Sequence, residues 1–339
     1  MPDVTLATVA SAAGVSTATA SRILSGTRAG DPRTAARVRQ AATQLGYQGN
    51  SIARALRRGR TGNIGMVIPS ISNPFFTSLV EHVELDLAQR DLNLFLCDAR
   101  DSPQVEAMRL ASLTRGTVDG VLISPCQSTA SQAALDLTAA AVPVVQLDRY
   151  VEGSQTDRVI LDDDQAMRLV VEHLAALDIK NAAFVTSTAG SSSALLRLAS
   201  VKRWSSHHGI NLRPDHVLDG QFSLEWGAEA ADKLMRTGAL PQAIICGGDL
   251  SAIGLITRLA HHGISVPRDV LVTGFDDISL ASLTMPTLTT LRQPRQLMAA
   301  EAVRLLMARI DQPERPSTVL SLSGSLITRE STRRTVKMS

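Results

Sequence analysis

Thr5-Leu6-Ala7-Thr8-Val9-Ala10-Ser11-Ala12-Ala13-Gly14-Val15-Ser16-Thr17-Ala18-Thr19-Ala20-Ser21-Arg22-Ile23-Leu24 is the stretch on which the reading of this chain turns. Leu6, Val9, Ala10 and Ala13 recur at helical spacing. Gly14 and Val15 interrupt them, and Ser16 stands where a side-chain oxygen can cap the first turn of a second helix. In that second helix Ala20, Ile23 and Leu24 fall on one side, with Thr17, Ala18, Ser21 and Arg22 on the other. A helix with so slender a face can enter the major groove of DNA. There an arginine grips guanine through two hydrogen bonds, and a threonine hydrogen-bonds or touches a thymine methyl.

A third helix is announced by Asp31 as N-cap and Pro32 at the first helical position; it carries Val38, Ala42 and Leu45 and stops at Gly46. Three short helices can close a small core. Arg33, Arg37 and Arg39 of this helix suit phosphates, which ask only for charge within reach.

The charge distribution agrees with that reading. The first sixty residues hold nine arginines against two acids, Asp3 and Asp31, whereas residues 61–339 hold 25 basic and 30 acidic side chains. A basic head on a mildly acidic body implies that the head meets a polyanion and the body does something else. Between them, Asn50 to Gly59 reads as one short helix, with Ile52 and Leu56 at i and i+4 among Arg54, Arg57, Arg58 and Arg60. A segment of roughly ten residues is too short to be a stable isolated helix. It can fold where DNA supplies phosphates and a second chain supplies packing.

From Ile64 onward apolar runs alternate with helical stretches: Ile64 to Ile68, Gly120 to Ile123, Val142 to Leu147, Ala182 to Val185, Ala243 to Cys246 and Val270 to Thr273. Continuous apolar strands interleaved with helices imply parallel sheets covered on both faces. The series restarts near residue 160, which implies two similar lobes. Open parallel sheets bind ligands beyond the carboxyl ends of their strands, so a site is expected in the cleft between lobes.

The head is similar to the DNA-binding headpiece of LacI/GalR-type transcriptional regulators in Thr5-Leu6-Ala7-Thr8-Val9-Ala10, Gly14-Val15-Ser16-Thr17-Ala18-Thr19-Ala20-Ser21-Arg22 and Leu45-Gly46-Tyr47. The body resembles the same family in Ser72-Asn73-Pro74-Phe75-Phe76, Leu147-Asp148-Arg149, Gly247-Gly248-Asp249, Thr273-Gly274-Phe275-Asp276-Asp277, Pro286-Thr287-Leu288-Thr289-Thr290 and Ile327-Thr328-Arg329-Glu330-Ser331. The resemblance implies an all-α helix-turn-helix headpiece with a hinge helix, followed by a two-lobed α/β domain of the type 1 periplasmic-binding-protein kind. Its boundaries would be 1–49 for the headpiece, 50–61 for hinge helix and linker, and 62–339 for the body. Lobe one would take about 62–160 plus 291–322, and lobe two about 161–290 plus 323–335.

Carried over position by position, the resemblance implies DNA contacts at Thr5, Ser16, Thr17, Ala18, Thr19, Ser21 and Arg22. In the hinge it implies Asn50, Ala53, Arg54 and Leu56, with Leu56 wedging into the minor groove. Effector contacts would fall on Asn73, Phe75, Phe76, Arg149, Arg197, Phe222, Asp249 and Asp276. Aromatic faces cover the apolar side of a sugar ring, while forked arginine donors and carboxylates fix hydroxyls. Four departures stand out: Ala20 where the family usually has Val, Ser25 where it has Asn, Gly49 where it has Pro, and Gly248 where it often has Asn. The last removes one hydrogen-bonding arm of the pocket. Leu195, Leu196, Leu198 and Val201 read as an apolar helical face that leaves Arg197 isolated, its partner being the ligand or one of Asp162 to Asp164.

The expected protein is a repressor: a homodimer reading a pseudo-palindromic operator in double-stranded DNA, half-sites about one helical turn apart, with affinity set by a sugar or sugar derivative between the lobes. Two rivals are an enzyme and an exported solute-binding protein, each with a nucleic-acid-binding head. The sequence holds no Walker phosphate loop, no dinucleotide fingerprint, no nucleophile elbow and no zinc spacing, so neither catalytic residues nor a cofactor or metal is expected. His207-His208 and His261-His262 are adjacent, diverge on a helix and read as surface features. Cys97, Cys126 and Cys246 fit reduced core thiols. Met1 to Val15 has no basic export signal and no run approaches a membrane span, which points to the cytoplasm. No leucine heptads follow the last strand, so a dimer is the default.

Overall fold

The first helix begins where Thr5 turns its hydroxyl back on the chain to accept the Thr8 amide at 3.3 Å, and the same device is repeated twice in the head. Ser16 Oγ accepts the Thr19 amide at 3.1 Å, and Asp31 Oδ2 the Thr34 amide at 3.1 Å. These caps open α1 (Leu6–Ala12), α2 (Thr17–Leu24) and α3 (Pro32–Gln44). Gly14, at φ +63°, makes the turn between the first two in a conformation that disfavours any side chain. Val9, Ala20 and Val38 are fully buried at the centre of a core otherwise made largely of alanine, which lets three thin helices approach closely.

The computed structural model describes residues 4–24, 31–47, 60–187, 190–238 and 240–333. Ser25, Gly49 and the expected hinge contacts Asn50, Ala53, Arg54 and Leu56 lie outside the described residues. The chain divides into two units, Met1–Thr61 and Gly62–Ser339.

In the second unit β1 (Asn63–Ile68), α4 (Pro74–Ala88), β2 (Asn93–Asp98), α5 (Pro103–Leu113), β3 (Gly120–Ile123), α6 (Gln132–Ala141), β4 (Val144–Asp148) and β5 (Asp157–Leu161) build the first lobe. The second follows with α7 (Asp163–Ala176), β6 (Asn181–Ser187), α8 (Ser192–His207), β7 (Asn211–Gly220), α9 (Leu224–Arg236), β8 (Ala243–Cys246), α10 (Asp249–His261), β9 (Leu271–Asp276) and β10 (Thr289–Arg292). The chain then returns to the first lobe through α11 (Arg295–Asp311) and β11 (Val319–Leu322), and ends in the second with β12 (Ser325–Ile327).

The first sheet has the order β11-β5-β4-β3-β1-β2 and is parallel throughout. The second, β12-β10-β9-β8-β6-β7, is parallel except for β12. The apolar runs of the sequence are the interior strands. Of the edge strands, β7, β11 and β12 lack such runs, and β2, which has Leu94 to Cys97, is nowhere fully buried. Helix α11 belongs to the first lobe's core, where Met298, Ala302 and Leu306 are buried with Ile64 and Leu147.

Among the described residues three crossovers join the lobes: at Asp162, at Gln293-Pro294 and at Ser323-Gly324. The first and third are bound to each other. The Asp162 amide donates to the Leu322 carbonyl at 2.8 Å, and Gln165 exchanges two hydrogen bonds with the Gly324 backbone at 3.1 and 3.3 Å.

Candidate functional site

On the head, Thr17, Ala18 and Arg22 stand exposed on one side of α2 while Ala20 and Ile23 are buried on the other. Ser16 and Thr5 are exposed as well, although each hydroxyl also caps its own helix. Thr19 and Ser21 are half-buried. The resulting ridge is narrow, bears one guanidinium and has the dimensions a major groove admits.

Within the body, a narrow cleft lies between the lobes, lined by Asn73, Phe75, Phe76, Asp148, Arg149, Ser193, Arg197, Phe222, Gly247, Asp276 and Gln293. Each comes from the carboxyl end of a strand, from the helix that follows one, or from a crossover, as the topology of open parallel sheets requires. Asn73 follows β1 and caps α4, its Oδ1 accepting the Phe75 amide at 3.0 Å. That cap fixes the entry of the helix. Phe75 and Phe76 then stand edge to face, ring centres 5.1 Å apart.

At the end of β4 the backbone of Asp148 has φ 67°, an unfavourable conformation of the kind that clusters at functional sites. It sends Asp148 and Arg149 into the cleft. The Arg149 guanidinium lies 5.3 Å from the Phe76 ring centre and 5.9 Å from that of Phe222, and its residue is 5 % exposed. Its Nε is 3.8 Å from Asp148 Oδ2. Among the described residues neither Nε nor Nη1 of Arg149 has a hydrogen-bond partner, nor do Asp148 Oδ1 and Gln293 Oε1. Buried groups of this kind are expensive unless something satisfies them, so donors and acceptors stand ready for a polar ligand.

Arg197 is different. Its Nε donates to Asp163 Oδ1 at 2.7 Å and its Nη1 to the Gly247 carbonyl at 2.8 Å, and its guanidinium lies 3.6 Å from the Phe275 ring centre. The apolar face expected around it is only partly the buried one: Val201 is fully buried and Leu198 packs against the second lobe's core. Leu195 is 53 % exposed, whereas Ser193, Arg197 and Ser200 are buried with Val201, so α8 turns a serine-rich face inward to reach the cleft.

Burial raises the carboxyls of this region. It lifts Asp163 to about 6 against the pull of Arg197, and Asp276 to about 7 against Arg197 and the Gln293 amide. Asp148 is raised for the same reason. Gln293 Nε2 donates to Asp276 Oδ1 at 2.8 Å, joining the second crossover to the end of β9. Asp277 next to it is clamped by Arg292 and Arg329, each at 2.6 Å.

Asp249 is not among the lining side chains. Its carboxylate accepts the Ile278 amide at 2.8 Å and the Thr290 hydroxyl at 2.6 Å. A Cβ on Gly274 would lie 2.2 Å from it. It is a strut that ties the start of α10 to β9 and β10, and burial pushes its carboxyl well above the usual range. Asp148, Ser193, Gly247 and Gln293 line the space without having been picked out from sequence. Asp148 lay within the quoted motif at the end of β4. Gln293 carried no local signal at all. His207, His261 and His262 are exposed, and among the described residues no group of His, Cys, Asp and Glu could hold a metal ion.

A helix-turn-helix unit followed by a two-lobed body with a polar, aromatic-walled cleft defines a ligand-responsive DNA-binding regulator. Residues 5–50 match the family model for bacterial regulatory proteins of the lacI family, and residues 171–332 that for a periplasmic binding protein-like domain. The chain is 30% identical over 336 residues to the HTH-type transcriptional repressor PurR of Haemophilus influenzae (strain PittEE), spanning 97% of this chain and 98% of that protein. With its counterpart from Pasteurella multocida (strain Pm70) it is 29% identical over 331 residues, 97% and 98% of the two chains. Among solved structures it is similar to the lac repressor dimer bound to operator and the anti-inducer ONPF, with TM-score 0.87 and 26% identity over 97% of this chain and 99% of that one. The transcriptional regulator CelR in complex with cellobiose gives TM-score 0.73 and 28% identity over the same shares. This chain belongs to the LacI family, and it is a DNA-binding transcriptional regulator.

Proposed function

We propose that the protein is a cytoplasmic repressor, without catalytic activity, that binds a pseudo-palindromic operator as a homodimer and changes its grip when a sugar or sugar derivative enters the cleft. The observation that carries the effector reading is the set of buried, unpartnered polar atoms on Asp148, Arg149 and Gln293 beside the rings of Phe75, Phe76 and Phe222. Vicinal hydroxyls suit that set, since each can donate to a carboxylate and accept from a guanidinium while the ring's carbon face meets an aromatic. The related CelR–cellobiose complex supports a carbohydrate.

Exposed apolar side chains support a second copy of the chain. Met285, 94 % exposed, lines a groove with Ile253 and Ile256 on the second lobe, Leu283 is 73 % exposed, and Leu85 and Phe95 stand out on the first lobe. The lac repressor dimer on its operator supports the same assembly. Among the described residues no helix is long and apolar enough to cross a membrane.

Fluorescence anisotropy on genomic fragments, with and without a panel of sugars and sugar acids, tests the proposal. Binding at discrete sites that one sugar shifts is expected. Because the coupling acts reciprocally, calorimetry must find that sugar's affinity changed by operator, by a free energy of about 1–3 kcal/mol. Weak affinity for every duplex, indifferent to sequence and set only by ionic strength, would overturn it.

A further inference from the structure

We infer that Arg295 is a positioning residue that latches the two lobes together, by holding Asp276 and Asp277 in the turn from which the second lobe reaches into the core of the first. The inference rests on the effector-cleft reading above for what releases the latch.

Asp276 and Asp277 have φ 108° and 51°, two successive residues on the left-handed side of backbone space, neither of them glycine. Such a turn is costly and persists only where its surroundings fix it. Arg295, the first residue of the helix that returns to the first lobe, does the fixing. Its Nη1 donates to the Asp276 carbonyl at 2.6 Å and to the Asp277 carbonyl at 3.1 Å, and its Nη2 to the Asp277 carbonyl at 3.2 Å. One guanidinium at the start of α11 thus holds two consecutive carbonyls at the end of β9. The next residue, Ile278, is buried with Phe76 and Met298 in the first lobe's core.

Both ends of the latch reach the cleft. Asp276 lines it, and so does Gln293, two residues before Arg295. Gln293 Nε2 donates to Asp276 Oδ1 at 2.8 Å, while Gln293 Oε1 is buried and without a partner among the described residues. A ligand that hydrogen-bonds to either side chain therefore acts on the turn or on the second crossover, and the latch passes that pull to the angle between lobes. The first and third crossovers, bound to each other, have no such link to the cleft.

Two amides elsewhere in the body report whether the lobes part. The Ser128 amide, after β3 in the first lobe, donates to the Gly190 carbonyl of the second at 3.0 Å. The Tyr150 amide, after β4, donates to Ser192 Oγ at the start of α8 at 2.9 Å. Amide hydrogen exchange on the full-length protein without ligand tests the inference, because parting of the lobes frees both groups. In Arg295→Met they should exchange roughly tenfold to a hundredfold faster, as for the loss of a charged hydrogen bond. The Ser124 amide, bonded to Val67 within the first lobe, and the Gly247 amide, bonded to Val185 within the second, should keep their wild-type rates. Arg295→Lys, which retains charge and donors, should fall between. Arg304→Met removes a charge from the same helix, where it pairs with Glu301 at the surface, and should change none of the four.

Wild-type exchange at Ser128 and Tyr150 in Arg295→Met would overturn the latch. So would an equal rise at all four amides, which marks general loss of stability. If Arg295→Met does not fold, Arg295→Lys decides by the same pattern. No ligand enters the measurement, so failure of the latch is told apart from failure of the effector reading, which the sugar panel decides.

Discussion

Arg197 and Asp163 form a salt bridge of 2.7 Å in which both side chains are 4 % exposed. The pair links α8 to the start of α7 beneath the cleft, and the same guanidinium holds the Gly247 carbonyl at its rim. Removing one partner of so buried a pair leaves the other charge uncompensated, which costs about 3–5 kcal/mol. Arg197→Ala is therefore expected to lower the thermal stability of the body and to abolish the effector response. Thermal melting and calorimetry check the two effects, and a full effector response in the variant would remove Arg197 from the site.

Arg149 should weigh more on binding than on stability. Its Nε and Nη1 have no hydrogen-bond partner among the described residues, and its contact with Asp148 is longer, at 3.8 Å. Arg149→Ala is expected to cost less unfolding free energy than Arg197→Ala, while effector affinity falls by roughly a hundredfold, as for a lost charge-assisted hydrogen bond. Denaturant unfolding read beside ligand titration separates the two.

Asp276 predicts a pH dependence. Burial raises its carboxyl to about 7, above the roughly 3.9 of an unfolded aspartate. The native state thus holds a proton that the unfolded state releases between those values. Its contribution to stability is fully present below about pH 4 and is lost as pH rises through about 7. Asp163, raised by burial to about 6, acts in the same direction over a narrower window. A hydroxyl donating to ionised Asp276 would reverse the sense for binding, so effector affinity should rise roughly tenfold between pH 6 and pH 8. Asp276→Asn should flatten the stability profile across that interval, and an unchanged slope would exclude Asp276 as the titrating group.

Gly227 on α9 and Gly254 on α10 let these helices cross at backbone contact. A Cβ on Gly227 would lie 2.1 Å from the Ser251 carbonyl oxygen, and one on Gly254 2.0 Å from that of Leu224. Backbone cannot yield as a side-chain tip can. Either substitution by alanine should destabilise the body by about 1–3 kcal/mol or more, seen as a lower melting temperature, with operator recognition by the head retained in whatever fraction remains folded.

Arg22 is exposed on the ridge of α2 and lies outside the core of the head. Arg22→Ala is expected to weaken operator binding by about 1–3 kcal/mol and to relax specificity at one base of each half-site. Effector affinity measured without DNA should not move. Equal loss on random duplex would assign Arg22 to phosphate contact instead.

Much of this was legible before any coordinates. Ser16 and Asp31 announce helix starts because a cap is a bond between residues three apart, and Gly14 marks the turn between α1 and α2; the cap by Thr5 emerged only in the structure. The interior strands are legible because burial on both faces demands unbroken apolar runs. Of the apolar face read around Arg197, Val201 and Leu198 meet the core while Leu195 meets solvent, since hydrophobicity alone cannot tell which side of a helix meets a polar cleft.

By itself, then, the sequence settled the local elements, the basic head on an acidic body and the family motifs, because each depends on residues near one another along the chain. Tertiary structure alone decided which of Asp162, Asp163 and Asp164 meets Arg197, that Asp249 is a strut behind the pocket, and that Gln293 reaches Asp276. Those outcomes follow from three crossovers that bring strand ends far apart in sequence to a single cleft, and no spacing between neighbouring residues encodes that convergence.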